Sequence, residues 1–507
     1  MFSKYKNSPQ GFQSTWKTEQ SLATDGTQTE ELTTEDSECQ VVQQSEAGTQ
    51  TDEEKVDLQT QTQYDVDSLA AFLHRITPKV IKELERQNRS QAFAGYALRQ
   101  EEEEEEGGGV RLLHTLRCKL IQPEMVVTGL AWSSTGSVIG VGYGANQHDD
   151  WCDHSGTLAV WNINRSDFDA NQPERVIEMS SCVLCLAFHP NNPAVFAVGT
   201  FNGEVLVYDL SHSEDVTPMV TVECGGGAVT TITWTDVGQA GTNNTTNTTT
   251  TTTTSLVATT STGYVLVWAF SITKQQLTLK TGFLVRSEDV PRVGRGSLNE
   301  RSGLGITAAS FNCEDSLLFL LGGVGGRLFI CNAASETRTG VEYGGVELRA
   351  CVSSTLSSHA GKVLAAEFSP YHRNAVITAA SDDQIRLYTI LQANKPVCSV
   401  HSQEGLTCAR WSPYRPVVVA VGKVTGQVTL LDLSSKSTGE PLLTLPPPER
   451  PAPISTLQFN HKNVKLLSVG DHLGRVQIWQ LPTSAVSPLP NERAILQTLL
   501  TSATAGD

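Results

Sequence analysis

The sequence predicts an all-β fold, a seven-bladed β-propeller, preceded by a disordered acidic arm with a short amphipathic helical segment. Three observations carry that expectation. A trio of local marks recurs seven times in one register after residue 110. Composition and charge change sharply near residue 106. A single stretch of helical periodicity lies ahead of that change. The chain has 507 residues, of which 39 % are hydrophobic, enough for one large repeat domain with a continuous core.

The arm comes first. Residues 1–106 carry 10 Lys and Arg against 22 Asp and Glu, a net charge of −12 out of −17 for the whole chain. The acidity therefore belongs mainly to the arm. It argues against a binder of nucleic acid or of anionic membranes, since both need a basic face. From Lys17 to Gln63 there is no aromatic residue, and Ser, Thr, Gln, Glu and Asp dominate. Such a segment buries too little apolar surface to offset the entropy of ordering, so residues 1–63 are predicted to be disordered. The opening MFSKYKNSPQGFQSTW lacks the apolar core of a secretory signal, and no run of 18 apolar residues occurs, so no direct membrane insertion is expected. The 11 cysteines are scattered without paired spacing and read as reduced thiols of a cytosolic protein.

Residues 64–93 form the helical segment. Leu69, Phe72, Leu73, Ile76, Val80 and Leu84 recur at steps of three and four, which lines one apolar stripe along a helix. Asp67 or Ser68 suits the N-cap. Pro78 predicts either two short helices, the second capped by Thr77, or one kinked helix. The stripe packs either on the propeller or on a partner. Residues 94–109 follow as a linker, in which Glu101–Glu106 and Gly107–Gly109 keep the chain solvated.

Residues 110–500 are the predicted propeller. An aromatic residue ends an alternating strand at Trp132, Phe188, Trp234, Phe311, Phe368, Trp411 and Phe459. Two strands later comes a closing pair: Trp161-Asn162, Tyr208-Asp209, Trp268-Ala269, Cys331-Asn332, Tyr388-Thr389, Leu431-Asp432 and Trp479-Gln480. The interval between the marks is 20 residues in five repeats, and 29 and 34 in the two with insertions near Gly144–His154 and in Thr242–Thr254. Five residues before each closing pair stands Gly156, Gly203, Gly263, Gly326, Gly426 or Gly474, with Asp383 in the remaining repeat. A tight hairpin needs a residue that tolerates positive φ there. Ring closure requires an N-terminal strand to join the last blade; Val110–Leu120 is the first candidate and Ile495–Leu500 the competitor.

This register resembles WD repeats, whose blades have four strands each. The carriers are LAFHP…NGEVLVYDL, EFSPYHRNAVITAASDDQIRLYTI, RWSPYRPVVVAVGKVTGQVTLLDL and FNHKNVKLLSVGDHLGRVQIW. The family's Gly-His pair is reduced to forms such as Ser358-His359, so the blades are degenerate.

In the arm, Thr-Gln-Thr occurs at Thr27-Gln28-Thr29, Thr49-Gln50-Thr51 and Thr60-Gln61-Thr62, the first two in the closely matched settings DGTQTEE and AGTQTDEE. These resemble the anchors taken by the hub-type dynein light chain, a dimer that binds extended peptides as an added strand. β-branched threonines favour the extended state, and Gln offers both a donor and an acceptor. Gln61 is a possible third anchor, crowded by the helix that follows.

The whole plan of acidic arm, anchors, amphipathic helix, linker and degenerate propeller resembles the WD-repeat dynein intermediate chains. It is most similar to the branch serving cytoplasmic dynein 2 and intraflagellar transport, on YDVDSLAAFLHRI, VLCLAFHP, FNGEVLVYDL and SPYHRN. The resemblance implies a non-catalytic scaffold that bridges light chains to the heavy-chain tail for retrograde transport and cilium assembly. Its implied partners are the hub-type light chain dimer at Thr27, Gln28, Thr29, Thr49, Gln50 and Thr51, and a roadblock-type light chain on the Leu69–Leu84 stripe. They also include the dynein 2 heavy chain and a second, different intermediate chain. The implied location is cytoplasm, cytoskeleton and cilium, at axoneme and basal body. The alternative is a general WD-repeat adaptor, such as a ubiquitin-ligase substrate receptor.

No catalytic residue, cofactor or metal site is predicted. Asp149, Asp150, Cys152, Asp153 and His154 cluster around Trp151 in a variable insertion and read as a solvated loop without tetrahedral ligand spacing. Cys182 and Cys185, three apart on a strand, point to opposite faces and cannot share a metal. The glycine run Gly322–Gly326 lacks the Lys-Ser/Thr ending of a phosphate loop.

Overall fold

A computed structural model describes residues 66–89, 109–122, 124–148, 151–211, 217–235, 254–286, 304–434 and 441–504. The helix Val66–Arg89 lies in one unit and the propeller in another. The helix is one continuous element of 24 residues that includes Pro78, so the chain does not break there into two helices.

Seven sheets make the ring. Their innermost strands are Met125–Trp132, Val183–Phe188, Val229–Thr235, Ile306–Phe311, Val363–Phe368, Leu406–Trp411 and Ile454–Phe459. Each aromatic mark lies at or one residue from the end of such a strand. The second strands, among them Val195–Thr200, Ala375–Ala380 and Leu466–Asp471, are buried along their whole length, because both faces meet a neighbouring blade. Outer strands such as Val220–Glu223 alternate between half-buried and exposed, as a rim should.

The blades touch through a repeated contact. Every innermost strand has an apolar residue just before a β-bulge near its start: Val127, Val183, Val229, Ile306, Val363, Leu406 and Ile454. All seven are buried. Five of them press on a glycine in the second strand of the preceding blade, at Gly142, Gly199, Gly322, Gly422 and Gly470. A methyl group on Gly470 would stand 2.5 Å from Val127 Cγ1, which is far inside van der Waals contact.

The hairpin marks hold with one exception. Gly203, Gly263, Gly326, Gly426, Gly474 and Asp383 all have positive φ. Gly156 is not among the positive-φ residues, so the expectation of a left-handed turn residue fails there. The requirement is close approach instead: a Cβ at Gly156 would lie 2.1 Å from the Ser181 carbonyl oxygen at the start of blade 2.

The ring closes through Arg111–Leu116, which pairs antiparallel with Val476–Gln480 of the last blade. Ile495–Leu500 is overturned as the competitor, since it lies in the helix Glu492–Thr504. That helix packs Leu496, Leu499 and Leu500 into the body and is tied down by Glu492, whose Oε1 accepts from Arg415 Nε at 2.8 Å. Across the seam, Trp132 Nε1 donates to Ser468 Oγ at 3.1 Å and Asn460 Nδ2 to the Gly136 carbonyl at 2.7 Å.

One sheet departs from the four-strand plan. The hairpin Arg338–Tyr343 and Val346–Arg349, inserted in blade 4, adds in parallel to Gln276–Leu284 of blade 3 and makes a six-stranded sheet. It covers an edge that would otherwise offer unpaired backbone groups. Its turn, Gly344-Gly345, has both φ angles positive, as a two-residue hairpin with twist-matched strands needs.

Blade 5 alone among the described blades carries a buried His-Asp-Thr set. His359 Nδ1 lies 3.0 Å from Asp382 Oδ2 and its Nε2 lies 2.8 Å from Thr378 Oγ1. The Ala360 N–H also donates to Asp382 Oδ2 at 3.0 Å, and the Tyr388 hydroxyl donates to the Ser357 carbonyl at 2.8 Å. Burial, then the Arg386 charge, holds the His359 imidazole below its ordinary value, against the pull of Asp382.

Two predictions follow from this packing. Gly470→Ala should cost about 1–3 kcal/mol, because the seam cannot yield without moving Val127. Gly325→Ala, in open space, should cost less than about 0.5 kcal/mol. Thermal melts of the two variants compare them directly. Burial also lowers the affinity for protons of His189, His461 and His472. The unfolded chain then takes up protons before the folded one. The stability held by these groups is complete above about pH 6.5 and is lost as pH falls below it. Melting temperature should drop between about pH 7.5 and 5.5, and less steeply in His359→Gln, which is less stable at the upper end.

Candidate partner-binding surfaces and a cysteine–histidine cluster

The anchors Thr27, Gln28, Thr29, Thr49, Gln50, Thr51 and Gln61 lie outside the described residues. The helical stripe lies within them. Leu69, Phe72, Leu73, Val80 and Leu84 are each 47–53 % exposed, and Ile76 is half-buried. Ile81, equally exposed, adds an apolar side chain that the stepwise periodicity passes over. The Arg75 guanidinium stands 5.8 Å from the Phe72 ring centre and leaves the aliphatic side chains uncovered. A continuous stripe of this kind is what helix-in-groove recognition uses.

At the centre of the ring a cavity of about 560 Å³ is lined by the first strands, including Thr128, Thr231, Thr233 and Ser310. Its charged feature is an ion pair. Arg410 Nη1 meets Glu367 Oε1 at 2.5 Å, Trp411 N donates to Glu367 Oε2 at 2.7 Å, and Arg410 Nε donates to the Leu457 carbonyl at 3.2 Å. Both carboxylate oxygens are thus held by donors, and the pair bridges the first strands of blades 5, 6 and 7.

The insertion in blade 1 corrects the expectation of a merely solvated loop. Trp151 is 66 % exposed and Asp153 is exposed, but Cys152 is only 1 % exposed. Asp149 and Asp150 lie outside the described residues. Cys152 turns inward and meets Cys182, which is fully buried at the start of blade 2. Cys182 and Cys185 do separate as the strand geometry requires, with the Cys185 thiol donating to the Val229 carbonyl at 3.4 Å. His148 and His154 complete the group: one donor atom from each of His148, Cys152, His154 and Cys182 lies within 4.8 Å of the others. Burial pushes the Cys182 thiol up to about 11, and burial followed by the neighbouring His154 holds His148 below its ordinary value. No local spacing announces this cluster, because Cys182 is 28 residues beyond His154 and sits on the next blade.

Comparison with known proteins agrees with the geometry. The family described as WD domain, G-beta repeat matches residues 350–389, the blade with the His359–Asp382–Thr378 set. The chain is 34 % identical over 493 residues to the mouse protein named cytoplasmic dynein 2 intermediate chain 2, covering 94 % of this chain and 88 % of that one. It is 35 % identical over 454 residues to the human protein of the same name, covering 88 % and 81 %. The Drosophila melanogaster cytoplasmic dynein 1 intermediate chain is more distant, at 21 % over 373 residues, covering 72 % of this chain and 50 % of that one. Seven closed blades and similarity that runs through nearly the full length place this chain in the WD-repeat dynein intermediate chain family, on the side of cytoplasmic dynein 2.

Proposed function

We propose that this dynein intermediate chain is a non-catalytic subunit of the cytoplasmic dynein 2 motor complex. It bridges light chains to the heavy-chain tail for retrograde intraflagellar transport and cilium assembly, and acts at the axoneme and basal body. The observation that carries the reading is the order of parts on one chain. Paired Thr-Gln-Thr segments come first, then a helix with an exposed apolar stripe, then a closed propeller.

Each part has a physical role in the reading. The anchors around Gln28 and Gln50 add as strands to successive hub-type light chain dimers, which hold two arms side by side. The second contact is then intramolecular, worth roughly 10²–10⁴ in avidity. The second arm belongs to a different intermediate chain. A roadblock-type light chain covers Leu69, Phe72, Leu73, Ile76, Val80 and Leu84. The propeller grips the heavy chain, with its rigid ring as the fixed body of the assembly.

Titration of residues 20–63 into the hub-type light chain should give tight binding. Gln28→Ala or Gln50→Ala alone should weaken it by about 10² or more, and the double variant should abolish it. Unchanged binding by the double variant removes the anchors from the reading. In the full chain, Phe72→Asp with Leu73→Asp should lose the roadblock-type light chain while the propeller melts as wild type. Mass spectrometry of the captured complex from ciliated cells should return motor subunits; ubiquitin-ligase subunits in their place would overturn the assignment.

A further inference from the structure

We propose that His148, Cys152, His154 and Cys182 bind one tetrahedral zinc ion, which staples the insertion of blade 1 to the residue that leads into the first strand of blade 2. The four residues come from two blades and meet at one point. Cys152 and Cys182 are buried, and His148 Nε2 is buried without a hydrogen-bond partner. A buried imidazole nitrogen is destabilising unless something takes its lone pair, and a metal ion does so.

The distances suit the ion. Zinc with bonds of about 2.3 Å to sulfur and about 2.0 Å to nitrogen holds its ligand atoms roughly 3.3–3.8 Å apart. Cys152 Sγ and His154 Nδ1 are 3.8 Å apart, and all four donors fall within 4.8 Å, so small side-chain rotations close the tetrahedron. Two thiols and two imidazoles are soft or borderline donors, which disfavours calcium and magnesium. Four protein ligands leave no open position, which marks a structural centre.

The surroundings hold the ligands in place before any ion arrives. Asn202 of blade 2 clamps the Cys152 backbone, accepting from its N–H at 3.0 Å and donating to its carbonyl at 3.1 Å. His148 stacks on Phe201 with ring centres 4.1 Å apart and 14° between planes. The sulfurs receive backbone N–H groups, Ala145 N to Cys182 Sγ at 3.1 Å and Cys182 N to Cys152 Sγ at 3.5 Å. Such donors stabilise a metal thiolate and orient it. Binding converts zinc(II), two thiols and two neutral imidazoles into a neutral centre and releases two protons to solvent. A neutral centre suits a site with two buried ligands.

The test uses the full chain, expressed with added zinc and purified through a tag that binds no metal. Elemental analysis should find about one zinc per chain in the wild type. Cys152→Ser and Cys182→Ser should each lower it about tenfold or more, and Cys185→Ser, three residues on and facing the other way, should leave it unchanged. Cobalt exchanged into the wild type should give the intense visible bands of a tetrahedral site and a thiolate charge-transfer band. A folded wild-type chain with less than about a tenth of an equivalent of zinc and only weak cobalt bands would overturn the proposal. So would loss of metal in Cys185→Ser equal to that in Cys182→Ser.

Discussion

Each blade of this molecule packs against the apolar residue near the start of the blade that follows it, and the ring depends on that contact. Near its start, the first strand of every blade carries a Val, Ile or Leu just before a bulge. In five seams it enters the space left by a missing side chain, at Gly142, Gly199, Gly322, Gly422 and Gly470. The register puts Thr259 and Ala379 at the same position in the other two. Dense packing makes such a contact nearly binary: the neighbour fits or the blade must move. A bulge also sharpens the local twist, which lets short strands converge on the axis.

The seam between the last and first blades bears the same contact and a further duty. Its sheet takes three strands from one end of the propeller sequence and one from the other. Closing it gathers the longest chain separation in the fold, so its stabilisation must come from side chains as well as from backbone pairing. Val127 against Gly470, Trp132 to Ser468 and Asn460 to Gly136 supply it. The helix Glu492–Thr504 then caps blade 6 through the buried Arg415–Glu492 pair. A ring closed in this way is a rigid platform, in contrast to an arm whose composition favours no packed core.

The proposed function rests on that contrast. Rigid recognition suits a large partner that docks once, whereas short extended anchors suit repeated partners whose affinity grows by linkage. The exposed stripe from Leu69 to Leu84 stands between the two modes. Its side chains are those a helix would bury, and an amphipathic helix draws most of its stability from packing that face.

From the sequence alone, seven repeats, their marks and the place of the acidic arm were readable, because each is a local pattern fixed by strand period, turn geometry or composition. One more mark was there to be read: an apolar residue five positions before each aromatic, from Val127 before Trp132 to Ile454 before Phe459. It is hidden by its plainness, since Val and Ile are common in any strand. Tertiary structure alone decided what depends on juxtaposition. It chose Arg111–Leu116 over Ile495–Leu500 as the closing segment and carried the Arg338–Arg349 hairpin onto a neighbouring blade. It showed that Gly156 serves close approach instead of positive φ, and it brought Cys182 to Cys152 across two blades. Spacing along the chain has no bearing on such meetings. They arise where separate strands, each locally satisfied, are pressed together by the closing of the ring.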